Sequence, residues 1–324
     1  MKEVIDAAES LHGVLLVDKP RGLSSHDVVD RVRKLARTRR VGHTGTLDPL
    51  AEGLLLVCIG GATRVAQFLT GLTKEYTGAV RLGAISSTYD AEGEIIPQDQ
   101  PLPRDARTVE MAMRAQMGLR TQLAPPFSAV KVRGKKLYEY ARGGEEVPDK
   151  HRRVQIFRFD LVRYQPPDVH FRAKVSSGTY LRSMAHDLGI QLECGGYLAS
   201  LRRESVGDFR VEDATPLPAL IQKPDLLRER LLEVADALGH LPKLVVSAKA
   251  EKDLLHGRGF TAREIVSCEA LPRASDRLLA VSGRGKALSI VDAEWRQPAG
   301  EAAEDESGEA ERMFFRPVRV LNIT

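Results

Sequence analysis

One carboxylate stands out for its setting. Asp48 lies in GHTGTLDPLAEG, residues 42–53, among Gly, Thr and Pro, with His43 five residues before it. Gly, Pro and Asp are the residues of ordinary surface turns, and a histidine there can simply cap a backbone group. A carboxylate in a tight loop can also be a nucleophile, a base or a cap. To act as a nucleophile it must be ionised, which calls for a cation and backbone donors beside it. TYLRS, residues 179–183, offers that cation in Arg182, after Tyr180 and at the expected start of a helix. KEY at 74–76 adds Tyr76, which packing on a sheet would equally explain. On residue type and spacing alone, both readings stand for each of these groups.

Other chemistries lack their motifs. No GxxxxGKS/T or GxGxxG loop occurs, so phosphate-loop and dinucleotide folds have no support. There is no HExxH and no GxSxG elbow. The 8 histidines are scattered, and the 3 cysteines, Cys58, Cys194 and Cys268, form no CxxC pair. Neither a metal nor a disulfide framework is expected, and a reducing compartment fits. A glycosidase normally needs two carboxylates, and the loop offers one.

The 324 residues are 43% hydrophobic and 28% charged, enough for one large domain with a real core and a smaller second one. The N-terminus MKEVIDAAES does not read as a signal peptide, and the apolar stretch 53–62 is too short to span a bilayer. A soluble, cytoplasmic protein with no membrane association is expected. The net charge of +4 hides strong patterning. RVRKLARTRR at 31–40 carries six basic residues and no acid, whereas EAAEDESGEAER at 301–312 carries six acids and one Arg. The first suits a polyanion partner; the second has the composition of a solvated insertion.

The elements that must position Asp48 can be read in outline. HGVLLVDKP at 12–20 reads as a buried strand. Ser24 and Asp27 resemble a capping box. Val28, Val29, Val32, Leu35 and Ala36 then carry a helix to about Arg37, which turns Arg31, Arg33, Lys34 and Arg37 outward. GLLLVCIG reads as a buried strand, and ATRVAQFLTGL as a helix stopped by Gly71. Strands follow at about 74–84, 152–164 and 168–176. Helices are expected at 108–117, in LYEYARGG and from TYLRS onward. Residues 213–243 read as closing helices and a linker, and 244–324 as a small β-rich domain. Strands and helices mix without a βαβ rhythm. The fold class is therefore α+β, a mixed, largely antiparallel sheet flanked by helices.

The ordered motifs carry a resemblance. DKPRGLSS at 18–25 and GHTGTLDPLAEGLLLVCIGGATR at 42–64 resemble the first two motifs of the TruB family of bacterial tRNA pseudouridine synthases. KEYTGAVRLGAISSTYDAEG at 74–93, PPFSAVKVRGKKLYEYARGG at 125–144 and SSGTYLRSMAHDLG at 176–189 resemble the next three. The resemblance spans about 12–207 in order; the C-terminal 80 residues match more loosely, where the family often carries a PUA domain.

That resemblance implies an isomerase converting uridine 55 of the TΨC loop of tRNA to pseudouridine, on the pseudouridine synthase fold and without a cofactor. By alignment, Asp48 is the catalytic aspartate. Tyr76 packs on the base and is implicated in removing the C5 proton, and Arg182 pairs with the aspartate. His43 fills the space the flipped base leaves. Lys19, Tyr180 and Leu201 align with pocket positions, Asp90 with an acid near the flipped nucleotide, and Lys131 with the segment that clasps tRNA. Arg64 stands where Lys is common, keeping the charge of a phosphate contact with altered geometry. Ser residues at 176 and 177 replace a frequent Cys, with no catalytic consequence expected. The implied organisation is a catalytic domain at 1–243 with a clasping insertion at about 97–150, then a PUA-like domain at 244–324 with an acidic insertion at 298–312. The implied partner is the tRNA T-arm, met by a monomer with no obligate protein partner. Two alternatives remain: a synthase working in a guide-RNA particle, and a non-catalytic RNA-binding protein that keeps the clasp. The complete set of Asp48, Tyr76 and Arg182 speaks against the second.

Overall fold

The strand Glu52–Ile59 explains the architecture, because its sequence is apolar on successive residues. A half-exposed strand alternates apolar and polar; a continuous apolar run marks a strand covered on both faces. In the computed structural model, which describes residues 11–128, 130–143, 145–295 and 313–321, both faces are covered. Leu55, Val57 and Ile59 pack with Leu15 and Val17 against Val28, Val29 and Val32 of the helix Ser25–Ala36. Leu54, Leu56 and Cys58 face the other way, with Val14 and Leu16, and meet Leu279, Val281, Ile290 and Leu321 from the C-terminal part of the chain. Burial of each such aliphatic side chain contributes roughly 1.5–3 kcal/mol.

That strand belongs to an 11-stranded sheet. The path across it runs Thr215–Pro216, Gly13–Lys19, Glu52–Ile59, Gly196–Val206, Lys74–Leu82, Asp168–Val175, His151–Gln165 and Gly118–Leu123. Two of these pairings are parallel, Gly13–Lys19 with Thr215–Pro216 and Glu52–Ile59 with Gly196–Val206; the rest are antiparallel. The expected mixed, largely antiparallel α+β fold is what forms. A second core lies under the helices Ala106–Ala115 and Leu181–Gln191, around Phe159, Phe171, Val80 and Met184.

Local readings hold where short-range chemistry decides. The helix Ser25–Ala36 opens with the Ser24–Asp27 capping box and closes at Arg37 in the left-handed region, φ 50°. Arg33 departs from the expected outward face: it turns back to pair with Asp30 at 2.8 Å and donates to the Val41 carbonyl. The segment after Ile59 is a 3₁₀ turn, Gly60–Val65, leading into a five-residue helix, Ala66–Thr70. Gly71 there keeps φ −70°, so it ends the helix without a left-handed cap. Residues 213–243 hold the short helices expected but also two short strands, Thr215–Pro216 and Leu231–Leu232, that extend the sheet beside Gly13–Lys19. This stretch is therefore woven into the main body. Within the insertion, Lys131–Val132 and Lys135–Lys136 form a small hairpin before the helix Leu137–Arg142.

The C-terminal part forms a six-stranded sheet in the order Phe260–Thr261, Met313–Val320, Ala287–Trp295, Arg277–Val281, Lys243–Val246 and Ile265–Cys268. It has a core of its own around Phe315 and Leu254. Its other apolar residues join the main sheet through Leu279, Val281, Ala287 and Ile290, and Arg277 lies 5.6 Å from the centre of the Phe68 ring. The acidic insertion expected at 298–312 and the first ten residues lie outside the described residues. Among the described residues no helix is long and apolar enough to cross a membrane.

The shared core predicts coupled unfolding. Leu279→Ala should cost about 2–5 kcal/mol, as for other buried Leu truncations. The far-ultraviolet signal and the fluorescence of Trp295, the 1 tryptophan of the chain, should then melt together at a lower temperature. Two separated transitions in the wild type would contradict a common core.

Candidate active site

The loop carrying Asp48 connects the strands Val41–His43 and Glu52–Ile59 and is pinned from three sides. Buried Ser25, in the first turn of its helix, accepts a hydrogen bond from the Leu47 N–H at 2.8 Å and donates to the Leu47 carbonyl at 3.1 Å. The Gly22 N–H donates to the Pro49 carbonyl at 2.8 Å, and the Thr44 N–H to the Leu56 carbonyl at 3.1 Å. Gly53 closes the loop at φ +99°, where a Cβ would lie 2.4 Å from the Arg203 carbonyl oxygen. Only glycine permits both that backbone and that close approach.

Arg182 gathers the rest. Tyr180 caps the helix Leu181–Gln191 in an extended conformation, and Arg182 leaves its first turn with a side chain only 7% exposed. Its Nε lies 3.0 Å from Asp48 Oδ2, an ion pair rather than an aligned hydrogen bond. Nη1 lies 3.4 Å from Asp90 Oδ2 and donates to the Thr88 carbonyl at 3.2 Å. Nη2 donates to the Phe127 carbonyl at 3.0 Å. Asp90 is itself fixed, accepting from Thr88 Oγ1 at 2.6 Å and from the Glu92 N–H at 3.0 Å.

The electrostatics follow from that crowding. Asp48 is pushed above the usual carboxylate range, chiefly by burial; Arg182 opposes this, Asp90 adds to it and Lys19 opposes it. Its side chain is 38% exposed, but at the wall of a concave site, where the solvent is confined. Glu92 is raised for the same reasons, burial first and then Asp90 and Asp48. Lys19 is fully buried, donates to the Pro20 and Leu23 carbonyls at 3.1 and 2.6 Å, and is lowered to about 8 by burial against the pull of Asp48.

Asp48, Asp90, Glu92 and Arg182 line a cavity of about 730 Å³. His43, Asp48, Tyr76, Asp90, Tyr180, Arg182 and Leu201, seven of the residues expected from sequence, all meet there. Burial lowers the pKa of His43, which favours the neutral ring, and its Nδ1 accepts from the Gly45 N–H at 3.3 Å. Arg152 covers the Tyr180 ring at 5.1 Å and donates to the Gly178 carbonyl at 2.8 Å. Lys19 is buried off the cavity wall, within electrostatic reach of Asp48. Arg64 is exposed on the 3₁₀ turn Gly60–Val65, away from the cavity wall, and Lys131 belongs to the hairpin of the insertion.

Sequence reasoning missed Lys74, Arg203, Arg152, Glu92, Phe127 and Ser128, all on the cavity wall. A signal existed for two of them. Side chains alternate along a strand, so Lys74 shares a face with Tyr76, and Arg203 with Leu201. Among the described residues the buried Ser128 hydroxyl has no hydrogen-bond partner. Among the described residues, no group of three or more His, Cys, Asp or Glu is arranged to hold a metal.

Comparison with known proteins decides the family. Residues 33–181 match the model of the TruB family pseudouridylate synthase N-terminal domain. A protein of Syntrophotalea carbinolica named tRNA pseudouridine synthase B is 40% identical over 87% of this chain and 92% of its own length. The chain belongs to the TruB family of pseudouridylate synthases. A second TruB relative of the same name, from Opitutus terrae, is 42% identical over 72% of this chain and 98% of its own. Among solved structures, an H/ACA RNP bound to a substrate RNA containing 2′-deoxyuridine shares the fold, with TM-score 0.72 and 22% identity over 96% of this chain and 86% of that one. A Cbf5–Nop10–Gar1 complex gives TM-score 0.69 and 26% identity over 87% and 78%. TruB proteins are therefore isomerases on a pseudouridine synthase fold, and this chain has that fold.

The charge network sets two opposite shifts. Asp90→Asn removes a negative neighbour and should lower the apparent pKa of Asp48; Arg182→Gln removes its cation and should raise it. A carboxyl-carbon NMR titration of Asp48 in each variant measures both, and equal shifts would contradict the assignment.

Proposed function

We propose that the chain is a tRNA pseudouridine synthase that isomerises uridine 55 in the TΨC loop, with Asp48 as nucleophile. What carries the reading is the ion pair of Asp48 with buried Arg182, 3.0 Å apart at the wall of a cavity that also holds Tyr76. A nucleophilic carboxylate needs a fixed cation, and buried Arg182 supplies one. The names of the relatives at 40–42% identity support tRNA as the substrate, and they favour direct action on tRNA over work in a guide-RNA particle.

The reaction requires three events at one base. The C1′–N1 bond breaks, the uracil turns over, and C5 joins C1′; C5 then gives up its proton. Atoms and electrons balance within the nucleotide, so no cofactor is called for. Asp48 attacks either the base or the sugar. Arg182 keeps Asp48 ionised against the burial and the Asp90 charge that would protonate it. Tyr76 packs on the base and assists loss of the C5 proton, and Leu201 and Tyr180 hold the base in place. Unstacking the target costs a few kcal/mol; neutral His43, beside the loop, stacks in the space left behind.

The wider surface fits the same partner. Arg31, Lys34, Arg37, Arg39 and Arg40 are exposed on and after the helix Ser25–Ala36, a face suited to T-arm phosphates, and Arg64 lies on the turn whose Gly60 N–H donates to the Arg40 carbonyl at 2.7 Å. The insertion at about 97–150, with Lys131, acts as the clasp, and the part from 244 onward as a PUA-like RNA-binding unit. The protein acts as a cytoplasmic monomer.

Asp48→Asn should abolish turnover while leaving tRNA affinity within a few fold. Tritium release from tRNA labelled at uridine C5, followed by mapping of the modified position, tests the reading. Full activity in Asp48→Asn, or modification outside the T-loop, would overturn it.

A further inference from the structure

The cavity lining holds two charge clusters. Asp48, Asp90 and Glu92 gather around Arg182. Lys74 and Arg203 form another, 6% and 2% exposed, neither with a carboxylate partner among the described residues. Arg203 donates from Nε to the Leu54 carbonyl at 2.6 Å and from Nη2 to the Gly45 carbonyl at 3.1 Å. Lys74 Nζ donates to the Thr70 and Leu72 carbonyls at 2.5 and 2.6 Å. A guanidinium has five N–H groups and an ammonium three, so each cation keeps donors that these backbone bonds do not use.

The charged neighbours of this pair make the imbalance worse. Arg203 disfavours the charged forms of Lys74, His43 and Lys19 alike. Burial first, and Arg203 second, bring Lys74 down to about 8. A buried charge without a partner is costly, and structures that keep two such charges side by side supply an anion to them. Both side chains converge on Gly45: a Cβ there would sit 3.6 Å from Arg203 Nη1 and 3.9 Å from Lys74 Cε. Those are ordinary contact distances, so a side chain would fit without strain and would occupy the space in front of the cations. Glycine leaves it open.

We propose that Lys74 and Arg203, converging on Gly45, seat one phosphodiester of the bound RNA beside the flipped nucleotide. This rests on the reading of the protein as an RNA-modifying enzyme, since phosphodiesters are the anions such a substrate brings. The carboxylates of Asp48, Asp90 and Glu92 repel a phosphate, so the charge separation also sets direction. The backbone lies toward Gly45, and the sugar and base toward Asp48. The cations act on binding and register and take no part in bond making.

The test is a binding cycle with an RNA hairpin in which one phosphodiester at a time, on either side of the target uridine, is replaced by a neutral methylphosphonate. Lys74→Gln removes the charge and can still donate to the Thr70 and Leu72 carbonyls; its thermal midpoint checks folding. At one linkage the neutral RNA should weaken wild-type binding about tenfold, the scale of a charge-assisted hydrogen bond. Lys74→Gln should weaken binding of the native RNA by a similar factor and lose less than a further twofold with the neutral linkage. Its slope of log Kd against log salt should be shallower by about one. Losses that multiply at every linkage, or native affinity in Lys74→Gln, would overturn the proposal. If Lys74→Gln melts early, Gly45→Ala, which fills the seat, enters the same cycle with the same two outcomes. Pseudouridine formation by the wild type is scored separately, so a failed isomerase reading and a failed phosphate seat remain distinguishable.

Discussion

A guanidinium taken out of water must find partners, and the partners of Arg182 define this molecule's site. Three segments far apart in sequence answer its charge and its donors: the loop of Asp48, the turn of Thr88 and Asp90, and the insertion at Phe127. Each supplies part of the compensation that makes burial tolerable. The same arrangement explains why Asp48 is so finely balanced. It has one close cation, a second acid competing for that cation, and little bulk solvent. The loop around it is rigid for a separate reason, the double hydrogen bond between Ser25 and Leu47, so the balance is electrostatic rather than conformational.

Much of this was legible in the sequence because the decisive signals are local. The capping box at Ser24, the apolar run after Gly53 and the Gly, Thr and Pro content of the Asp48 loop are all short-range chemistry. The spatial meeting of Asp48, Tyr76, Asp90 and Arg182 is not local. Only the ordered resemblance of five motifs linked them in advance; spacing alone left each one with an ordinary explanation. Lys74 and Arg203 were overlooked for a related reason. Buried cations look like surface cations in a sequence, and each stands one strand repeat from a residue that drew attention first.

Less was legible where tertiary contact decides. The stretch 213–243 read as closing helices and a linker because it is rich in Pro and Leu and mixed in charge; the helices form, and two of its dipeptides also complete the sheet. The C-terminal part read as a separate β-rich unit, and its strands do form a separate sheet. The apolar residues that bind it to the main sheet, Leu279, Val281 and Ile290, cannot be told from that unit's own core residues by pattern. Arg33 likewise follows a tertiary acceptor, the Val41 carbonyl, rather than its helical face.

The two-sided burial of the strand Glu52–Ile59 has an evolutionary corollary. Its even positions serve one neighbour and its odd positions another, and its first residues end the loop that presents Asp48. Exchange of one aliphatic residue for another of similar volume disturbs only one contact. A single inserted or deleted residue would swap every side chain between the two faces and move the nucleophilic loop off Arg182 at the same time. Homologous sequences should therefore drift among aliphatic residues at positions 54–59 while keeping Gly53 and remaining fixed in length.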